Sequence, residues 1–378
     1  MGPLHGFKIV EFAGIGPGPF CAMLFADMGA EIIRIDRIGA DATDDGDKRN
    51  VTARGRRSLG LDLKNPRAAD VVLRLCRQVD GIIEGFRPGV MERLGLGPGE
   101  CMRANPRLVY GRMTGWGQTG PLAHVAGHDI NYLALSGSLY MFGRANEKPC
   151  PPLNLVADMG GGAMLLAFGM LSALLERERS GQGQIVDAAM VEGSALLATA
   201  IYAMRASGMW RDERGSNLLD SGAPFYEVYE TQDGGFMAVG ALEPQFYAAL
   251  LQGMALDARD LPPQMDRARW PEMKQRFEAI FKSKTRADWT RIFDGTDACA
   301  FPVLSPVEAS EHEHNRARES FRETVGVLHP APAPRFSRSR TEKPSDPPRI
   351  GEHSQAVLRD FGFGPEEIAA LRLAKALA

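Results

Sequence analysis

The chain has 378 residues, of which 44 % are hydrophobic and 24 % charged, the composition of a globular protein long enough for two domains. The formal net charge of −3 gives no sign of a nucleic-acid partner or of a basic surface for membranes. The five cysteines are odd in number and include no C-x-x-C pair, which argues against a disulfide framework or a zinc site and predicts a cytoplasmic protein.

The chain begins with alternating strands and helices. Residues 7–12 alternate as a strand does, the GIGPGP turn at 14–19 ends it, and residues 20–28 show helical spacing before a second strand at 31–36. A strand, a turn, a helix and a strand within roughly thirty residues form a βαβ unit, which implies a parallel sheet with a right-handed crossover.

The same pattern continues to residue 207. Further strands are predicted at 58–63, 81–84, 108–113 and 184–190, and helices at 65–78, from 129 onward, at 158–179 and at 191–207. Residues 114–126 are rich in glycine and are predicted to form a loop. The most apolar stretch, 164–175, is too short to span a bilayer and is predicted to be a buried helix.

The character of the chain changes after a polar segment at 209–222. A hairpin is predicted from strands at 225–231 and 236–241, with helices at 245–254, 273–282 and 286–293, a Pro-rich surface segment at 328–348 and helical spacing at 352–373. We therefore expect an α/β protein with a large Rossmann-like parallel-sheet domain and a smaller α/β domain. The large domain is residues 1–207 completed by 307–378, the linker is 208–221, and the small domain is 222–306.

The GIGPGP turn, with Asp36 further along, resembles a dinucleotide-binding fingerprint. The spacing is wrong, however, because the three glycines fall two apart. Pro17 and Pro19 also remove amide donors that would hold a pyrophosphate. The sequence therefore disfavours NAD or FAD binding and favours a tight strand-to-helix turn that lines a ligand channel.

Residues 114–121 (TGWGQTGP) and 127–132 (GHDINY) combine a Gly-rich loop with His128 and Asp129 at the start of a helix. A flexible loop would deliver both side chains, and the free amides of the helix start could hold a developing oxyanion. On these residues alone, an equal alternative is that Asp129 caps its own helix and His128 is a surface residue.

Two further islands carry acidic residues next to helix starts. Asp158 precedes three glycines that open a long helix, and such glycines let a bulky ligand approach the backbone, although a simple capping role remains open. Glu243 precedes Pro244 at the first turn of another helix, for which a capping acid is the simplest interpretation.

Taken together, these islands resemble the α-methylacyl-CoA racemase branch of the family III CoA-transferase superfamily. The similarity runs from Leu4 to about Ser337. The matching motifs are GIGPGP, IDR at 35–37, LDLK at 61–64, EGFRPGV at 84–90, MTGWGQTGP at 113–121, AGHDINY at 126–132, PPLNLVAD at 151–158, VDAAM at 186–190, GAPFYEVYE at 222–230 and GALEPQFYAA at 240–249.

The resemblance implies an isomerase of lipid metabolism that interconverts (2R)- and (2S)-2-methylacyl-CoA thioesters. His128 and Asp158 would be the acid/base groups on opposite faces of the substrate α-carbon, and Glu243 would hydrogen-bond His128. Because Asp158 must be protonated for half of the cycle, we predict partial burial that raises its pKa. No metal or organic cofactor is expected, because the thioester itself acidifies the α-proton.

The resemblance also implies where coenzyme A binds. Arg37, Lys64, Arg87 and Arg93 would hold the adenine and phosphate groups. The other substrate-binding candidates are Leu61, Asp62, Leu63, Gly85, Phe86, Gly127, Asp129, Ile130, Asn131 and Tyr132. The family implies an interlocked homodimer with shared active sites, in which Glu243 comes from the partner chain.

Two other functions fit part of the pattern. A CoA-transferase between carboxylic acids would use Asp158 as a nucleophile, and a non-catalytic CoA-binding protein would keep only the basic residues. His128 and Glu243 favour the racemase, because neither alternative needs an imidazole base. The sequence does not identify the acyl chain, although Met23, Met113, Met141, Met159, Met190 and Met204 would suit a tolerant apolar surface.

Overall fold

The computed structural model of the chain describes residues 1–38, 49–341 and 343–378, so that residue 342 of the predicted Pro-rich segment lies outside it. In chain order, its strands are β1 (Lys8–Phe12), β2 (Glu31–Arg37), β3 (Arg56–Leu61), β4 (Gly81–Glu84), β5 (Val109–Thr114), β6 (Ile185–Ala189), β7 (Tyr226–Glu230), β8 (Phe236–Gly240), β9 (Ala300–Pro302), β10 (Phe321–Thr324) and β11 (Val327–Pro330).

The helices include the predicted ones in chain order, together with several short helices that were not predicted from the sequence. They are α1 (Pro17–Asp27), α2 (Pro66–Cys76), α3 (Val90–Arg93), α4 (Pro98–Ala104), α5 (Asp129–Ser136), α6 (Ser138–Met141), α7 (Leu165–Ser180), α8 (Met190–Leu197), α9 (Thr199–Ala206), α10 (Pro244–Gly253), α11 (Trp270–Phe281), α12 (Arg286–Phe293), α13 (Pro306–Glu311), α14 (Glu313–Ala317), α15 (Ser354–Asp360) and α16 (Pro365–Leu373). A π-helix covers Leu155–Met164, and short 3₁₀ helices cover Val51–Ala53, Ala258–Asp260 and Arg267–Arg269.

Six strands form one parallel sheet in the order β3-β2-β1-β4-β5-β6. The predicted α/β class with a parallel sheet is therefore confirmed. The strand order reverses between β1 and β4, and ligands of such sheets bind at this point, beyond the carboxyl ends of the strands. The fold thus predicts where a site should lie before any side chain is considered.

The sheet is covered on both faces, so most residues of its strands are buried, including the charged Glu11, Arg56 and Glu84. On one face, residues such as Val10, Ile33 and Leu59 pack in a buried cluster with Val71 of α2 and Val357 of α15. The cluster shows that the C-terminal helices complete this core, as the predicted return of residues 307–378 to the large domain requires.

The chain divides into two compact units. The first comprises Met1–Ser136, Leu153–Leu197 and Ala317–Ala378, and the second comprises Gly137–Pro152 and Ala198–Arg316. The second unit contains the predicted hairpin as β7 and β8, with β9 as a third antiparallel strand. Compared with the predicted boundaries, the second unit also takes in residues 137–152, 198–221 and 307–316.

Three helix predictions need correction. The predicted helix 158–179 begins at Leu155, and its first ten residues wind as a π-helix. The predicted helix 191–207 is two helices, α8 and α9, and the predicted helical region 352–373 is likewise two, α15 and α16.

The prediction that the apolar stretch 164–175 is buried is wrong for one face of the helix. Met164, Phe168, Leu171 and Leu175 are 53, 69, 41 and 70 % exposed. Their spacing of four, three and four residues places them on one side of the helix. By length and composition Leu155–Ser180 could cross a membrane, but one such helix is weak evidence for a membrane protein.

The glycines after Asp158 serve helix packing rather than the approach of a ligand. A Cβ atom on Gly161 would lie 2.7 Å from the Ser194 amide nitrogen, and one on Gly193 would lie 1.8 Å from the Gly161 carbonyl oxygen. The backbones of the π-helix and α8 are therefore in direct contact, which leaves no room for a side chain at either position.

We expect Gly193→Ala to destabilise the protein by at least about 2 kcal/mol, because the new methyl group must push the two helices apart. Chemical denaturation measures the difference. The matched control is Gly99→Ala in α4, where the added carbon would lie 3.7 Å from a flexible arginine and should be tolerated. Equal stability of both variants would show that the helix contact is not tight.

Candidate active site

A cavity of about 610 Å³ opens in the first unit at the carboxyl ends of β1, β4 and β5. Its walls are the end of β1 with the GIGPGP turn, residues 85–88 after β4, residues 113–116 at the end of β5, residues 123–128 before α5, and single residues of α5, the π-helix and α8. This is the position at which the strand order reverses, as the doubly wound sheet requires.

His128 and Asp158 both line this cavity. Five other predicted site residues line it as well: Gly85, Phe86, Arg87, Gly127 and Tyr132. Those that do not line it are Arg37, Leu61, Asp62, Leu63, Lys64, Arg93, Asp129, Ile130, Asn131 and Glu243. The structure thus brings the proposed imidazole and carboxyl groups to one space but separates them from several predicted CoA contacts.

His128 is the residue before α5, and reciprocal hydrogen bonds with Asn131 hold its backbone. The His128 amide donates to Asn131 Oδ1 over 3.0 Å, and its carbonyl accepts from the Asn131 amide over 2.8 Å. Asn131 therefore acts through the backbone at the helix start. The His128 side chain is exposed to the cavity, where a substrate can reach it.

Asp129 does not cap its own helix, contrary to one of the two sequence interpretations. Its Oδ2 atom accepts from the amides of Ala157 and Asp158, over 2.9 and 2.8 Å. The Asp129 carboxylate therefore caps the π-helix that carries Asp158, and only 6 % of the residue is exposed.

Asp158 is half-buried, and its pKa is raised, as the sequence predicts. Burial is the largest cause and the neighbouring Asp129 carboxylate the next, whereas a hydrogen bond from Asn154 and the charge of His128 act in the opposite direction. The GIGPGP turn reaches this group, because a Cβ atom on Gly16 would lie 3.3 Å from Asp158 Oδ2. Gly16 has a φ of +72°, which also favours glycine.

The predicted flexible Gly-rich loop is instead held by tight aromatic packing. The rings of Trp116 and Tyr132 meet edge to face at 4.8 Å, and the Tyr132 hydroxyl donates to the Gly127 carbonyl. Cβ atoms on Gly115 and Gly127 would lie 2.1 and 2.7 Å from the Tyr132 ring. The glycines therefore admit Tyr132, which fixes the segment leading to His128.

A buried ion-pair network holds the segment with Phe86 and Arg87. Glu84, at the end of β4, accepts from the Phe86 amide over 2.7 Å and from Arg112 Nε over 2.9 Å. Arg112 also pairs with Glu92 at 2.8 Å. Sequence reasoning missed this network, although a glutamate at the end of an apolar strand was a signal for it.

The remaining basic candidates lie at the same edge of the sheet but away from the cavity wall. Arg37 ends β2 opposite Leu61 at the end of β3, and Arg37, Lys64 and Arg93 are exposed. The C-terminus holds the following segment, since the Asp62 amide donates to the Ala376 carbonyl over 3.1 Å. An extended ligand that leaves the cavity along this edge of the sheet would pass Arg37, Lys64 and Arg93.

Glu243 occupies the residue before α10 in the second unit, but its side chain makes no capping hydrogen bond. It is exposed to solvent. The capping role that the sequence favoured is therefore not what this carboxylate does, and its charge stays available to another group.

The sequence model of CoA-transferase family III matches residues 4–354. The chain belongs to CoA-transferase family III. It is 51 % identical over 373 residues to an alpha-methylacyl-CoA racemase of Mus musculus, covering 97 % of this chain and 96 % of the relative. Identity to an alpha-methylacyl-CoA racemase of Homo sapiens is 49 % over 376 residues, again covering 97 and 96 %.

The fold is shared with a solved structure. A CAIB/BAIF family protein from Brucella suis has a TM-score of 0.81 with 24 % sequence identity, covering 95 % of this chain and 99 % of its own. The resemblance to α-methylacyl-CoA racemases that the sequence motifs indicate is thus confirmed within the family.

We expect Asp158→Asn to raise the melting temperature at about pH 8 and to raise it by less at about pH 4, where part of the carboxyl group is protonated in the unfolded state as well. Because folding raises the pKa of Asp158, the ionised form is disfavoured in the folded protein. That cost is present above the folded pKa and disappears when the carboxyl group is protonated in both states. Thermal unfolding at the two pH values tests this, and a variant less stable than wild type at pH 8 would contradict it.

Proposed function

We propose that this protein is a racemase that interconverts (2R)- and (2S)-2-methylacyl-CoA thioesters by removing and returning the α-proton. The observation that carries the proposal is that His128 and Asp158 line one cavity at the strand-order reversal. The near-full-length similarity to the mouse and human racemases supports the same reaction. The enzyme is accordingly an isomerase.

Racemisation requires proton removal on one face of the α-carbon and proton return on the other. A single base would mainly return its proton to the face from which it came. Neutral His128 removes the proton from one epimer while protonated Asp158 supplies the opposite face, and the reverse reaction exchanges the roles. The raised pKa of Asp158 favours the protonated form that this step requires.

The intermediate is the enolate of the thioester, and its oxygen needs a hydrogen-bond donor. The amide of Asp129 is our candidate, because the first residue of α5 has no acceptor within its own helix. The thioester acidifies the α-proton, so the proposed reaction uses no metal or organic cofactor.

Coenzyme A would enter along the carboxyl edge of the sheet. Arg87 stands at the cavity, and Arg37, Lys64 and Arg93 are placed to bind the phosphate and adenine groups beyond it. Of the six methionines that the sequence singles out, Met113 and Met190 line the cavity, where flexible thioethers suit an apolar acyl chain.

Incubation with a chiral 2-methylacyl-CoA in deuterated water, without an acceptor acid, tests the proposal. We expect deuterium at the α-carbon and loss of optical purity. His128→Ala and Asp158→Ala should each lower exchange by at least about 100-fold, because each removes one acid/base group.

A transferase would give the opposite result in the same experiment. CoA passing to added succinate or oxalate, with no α-deuterium incorporated, would overturn the racemase proposal. Retained exchange in the His128→Ala variant would overturn the assignment of that residue.

We further propose a homodimer with shared active sites. The apolar face of the helix at Met164, Phe168, Leu171 and Leu175 is a surface that a second copy would cover. In that dimer Glu243 reaches His128 of the partner chain and sets the orientation of the imidazole.

Co-expression of two inactive variants separates this arrangement from one within a single chain. If Glu243 acts across the dimer, a His128→Ala chain paired with a Glu243→Ala chain forms one complete site and one doubly altered site. Doubly tagged heterodimers should then show about half the wild-type activity, since one of two symmetric sites is intact. Heterodimers no more active than the parent variants would refute the shared site.

We place the protein in the cytoplasm and in lipid metabolism, with neither nucleic acid nor a membrane as a partner. The net charge of −3 supports this assignment, as do five cysteines that are all unpaired. In the proposed dimer, the second copy rather than lipid covers the exposed helix face.

A further inference from the structure

The side chain of Asp129 connects the two elements that carry the proposed acid and base. Asp129 follows His128 directly and begins α5, while its Oδ2 atom binds the amide of Asp158 itself at 2.8 Å and that of Ala157 at 2.9 Å. One carboxylate therefore spans the gap between the start of α5 and the start of the π-helix.

We propose that the Asp129 carboxylate is a positioning residue for proton transfer: it fixes Asp158 relative to His128, and its charge favours the protonated form of Asp158. This inference rests on the proposed racemase function. It concerns the side chain of Asp129, whereas the enolate donor suggested above is its backbone amide.

The positioning part follows from the geometry of a π-helix. Each amide in such a helix bonds the carbonyl five residues earlier, so the amides of its first turn have no acceptor in the helix. The Met159 amide is the first to bond in this way, to the Asn154 carbonyl at 3.3 Å. Asp129 supplies the acceptor for the two amides before it, and this fixes the backbone from which the Asp158 side chain projects.

The charge part follows from what an uncharged residue would do at the same position. An asparagine could offer one oxygen to the same two amides without burying a negative charge. Asp129 instead keeps a second oxygen, Oδ1, that is buried and has no hydrogen-bond partner among the described residues. A buried carboxylate oxygen without a hydrogen-bond partner destabilises the folded protein. Capping alone therefore does not account for a charged residue at this position.

The charge is accounted for by its effect on the nearby proton-transfer group, Asp158. The charge of Asp129 is second only to burial among the causes that raise the pKa of Asp158. When Asp158 acts as the acid, it must enter the step protonated. A fixed negative charge beside it raises its proton affinity without occupying the cavity, because the Asp129 side chain is buried and does not line the cavity.

The test compares Asp129→Asn with Asp129→Ala in the intact enzyme, by measuring kcat/KM for α-proton exchange against pH. Asp129→Asn keeps an acceptor and removes the charge, so we expect no loss of melting temperature. In the direction in which Asp158 is the acid, we expect an alkaline limb moved to lower pH, because Asp158 then loses its proton at lower pH. Asp129→Ala removes both, and we expect exchange to fall by about 100-fold, as for a misplaced catalytic group.

Asp187→Asn is the matched control. Asp187 also accepts a backbone amide, that of Gln118 at 3.1 Å, but it is exposed and does not line the cavity. This variant should keep the wild-type pH profile. An unmoved alkaline limb in Asp129→Asn would overturn the role of the charge, and full activity of Asp129→Ala would overturn the positioning role.

A readout without turnover separates failure of this inference from failure of the proposed function. The gain in melting temperature that Asp158→Asn causes at about pH 8 should shrink when it is introduced into the Asp129→Asn background. An undiminished gain would overturn the inference even if the enzyme is a racemase. A diminished gain without any α-deuterium exchange would refute the proposed function alone.

Discussion

The reversal of strand order between β1 and β4 is the constraint on which the site depends. In a parallel sheet with this order, the connections from the two strands run to opposite faces and leave a crevice at their carboxyl ends. The GIGPGP turn and the loop of Phe86 and Arg87 line that crevice. Every other part of the cavity is built onto this gap.

The cavity is rigid because each wall is fixed by contacts behind it. Glu84 and Arg112 hold the loop after β4, Tyr132 holds the segment before α5, and Asp129 holds the start of the π-helix. These groups bind backbone amides or carbonyls, so they set the course of the chain rather than contact a ligand. Such preorganisation lets a small number of side chains perform chemistry without rearrangement.

The sequence predicted the elements of the sheet well because their signals are local. Runs such as KIVEF in β1 and EIIRIDR in β2 contain the β-branched and aromatic residues that favour strands. The sequence, with the help of family motifs, also predicted His128 and Asp158 as the acid/base groups, and these roles stay predictions. Their common cavity confirms that the two islands meet in the fold.

The features that the sequence did not reveal depend on contacts between distant parts of the chain. The π-helix begins at Leu155 because its amides find Asp129 nearly thirty residues earlier, and no periodicity within 155–164 contains that information. Likewise, the apolar character of Phe168 does not reveal whether this side chain is covered by its own chain or by a second one. Gly161 and Gly193 are required because they bring two backbones into contact, and neither position alone reveals this contact in the sequence.

That glycine pair fixes the separation of the π-helix and α8, which carry Asp158 and Met190 into the cavity. Because backbone meets backbone there, no side chain can be added at either glycine without moving these two helices. Variation in the range of acyl chains must come from positions that carry an apolar side chain toward the opening, such as Ile15 and Val125. Descendants of this scaffold would thus change their substrate preference at the rim while keeping the spacing of these two helices.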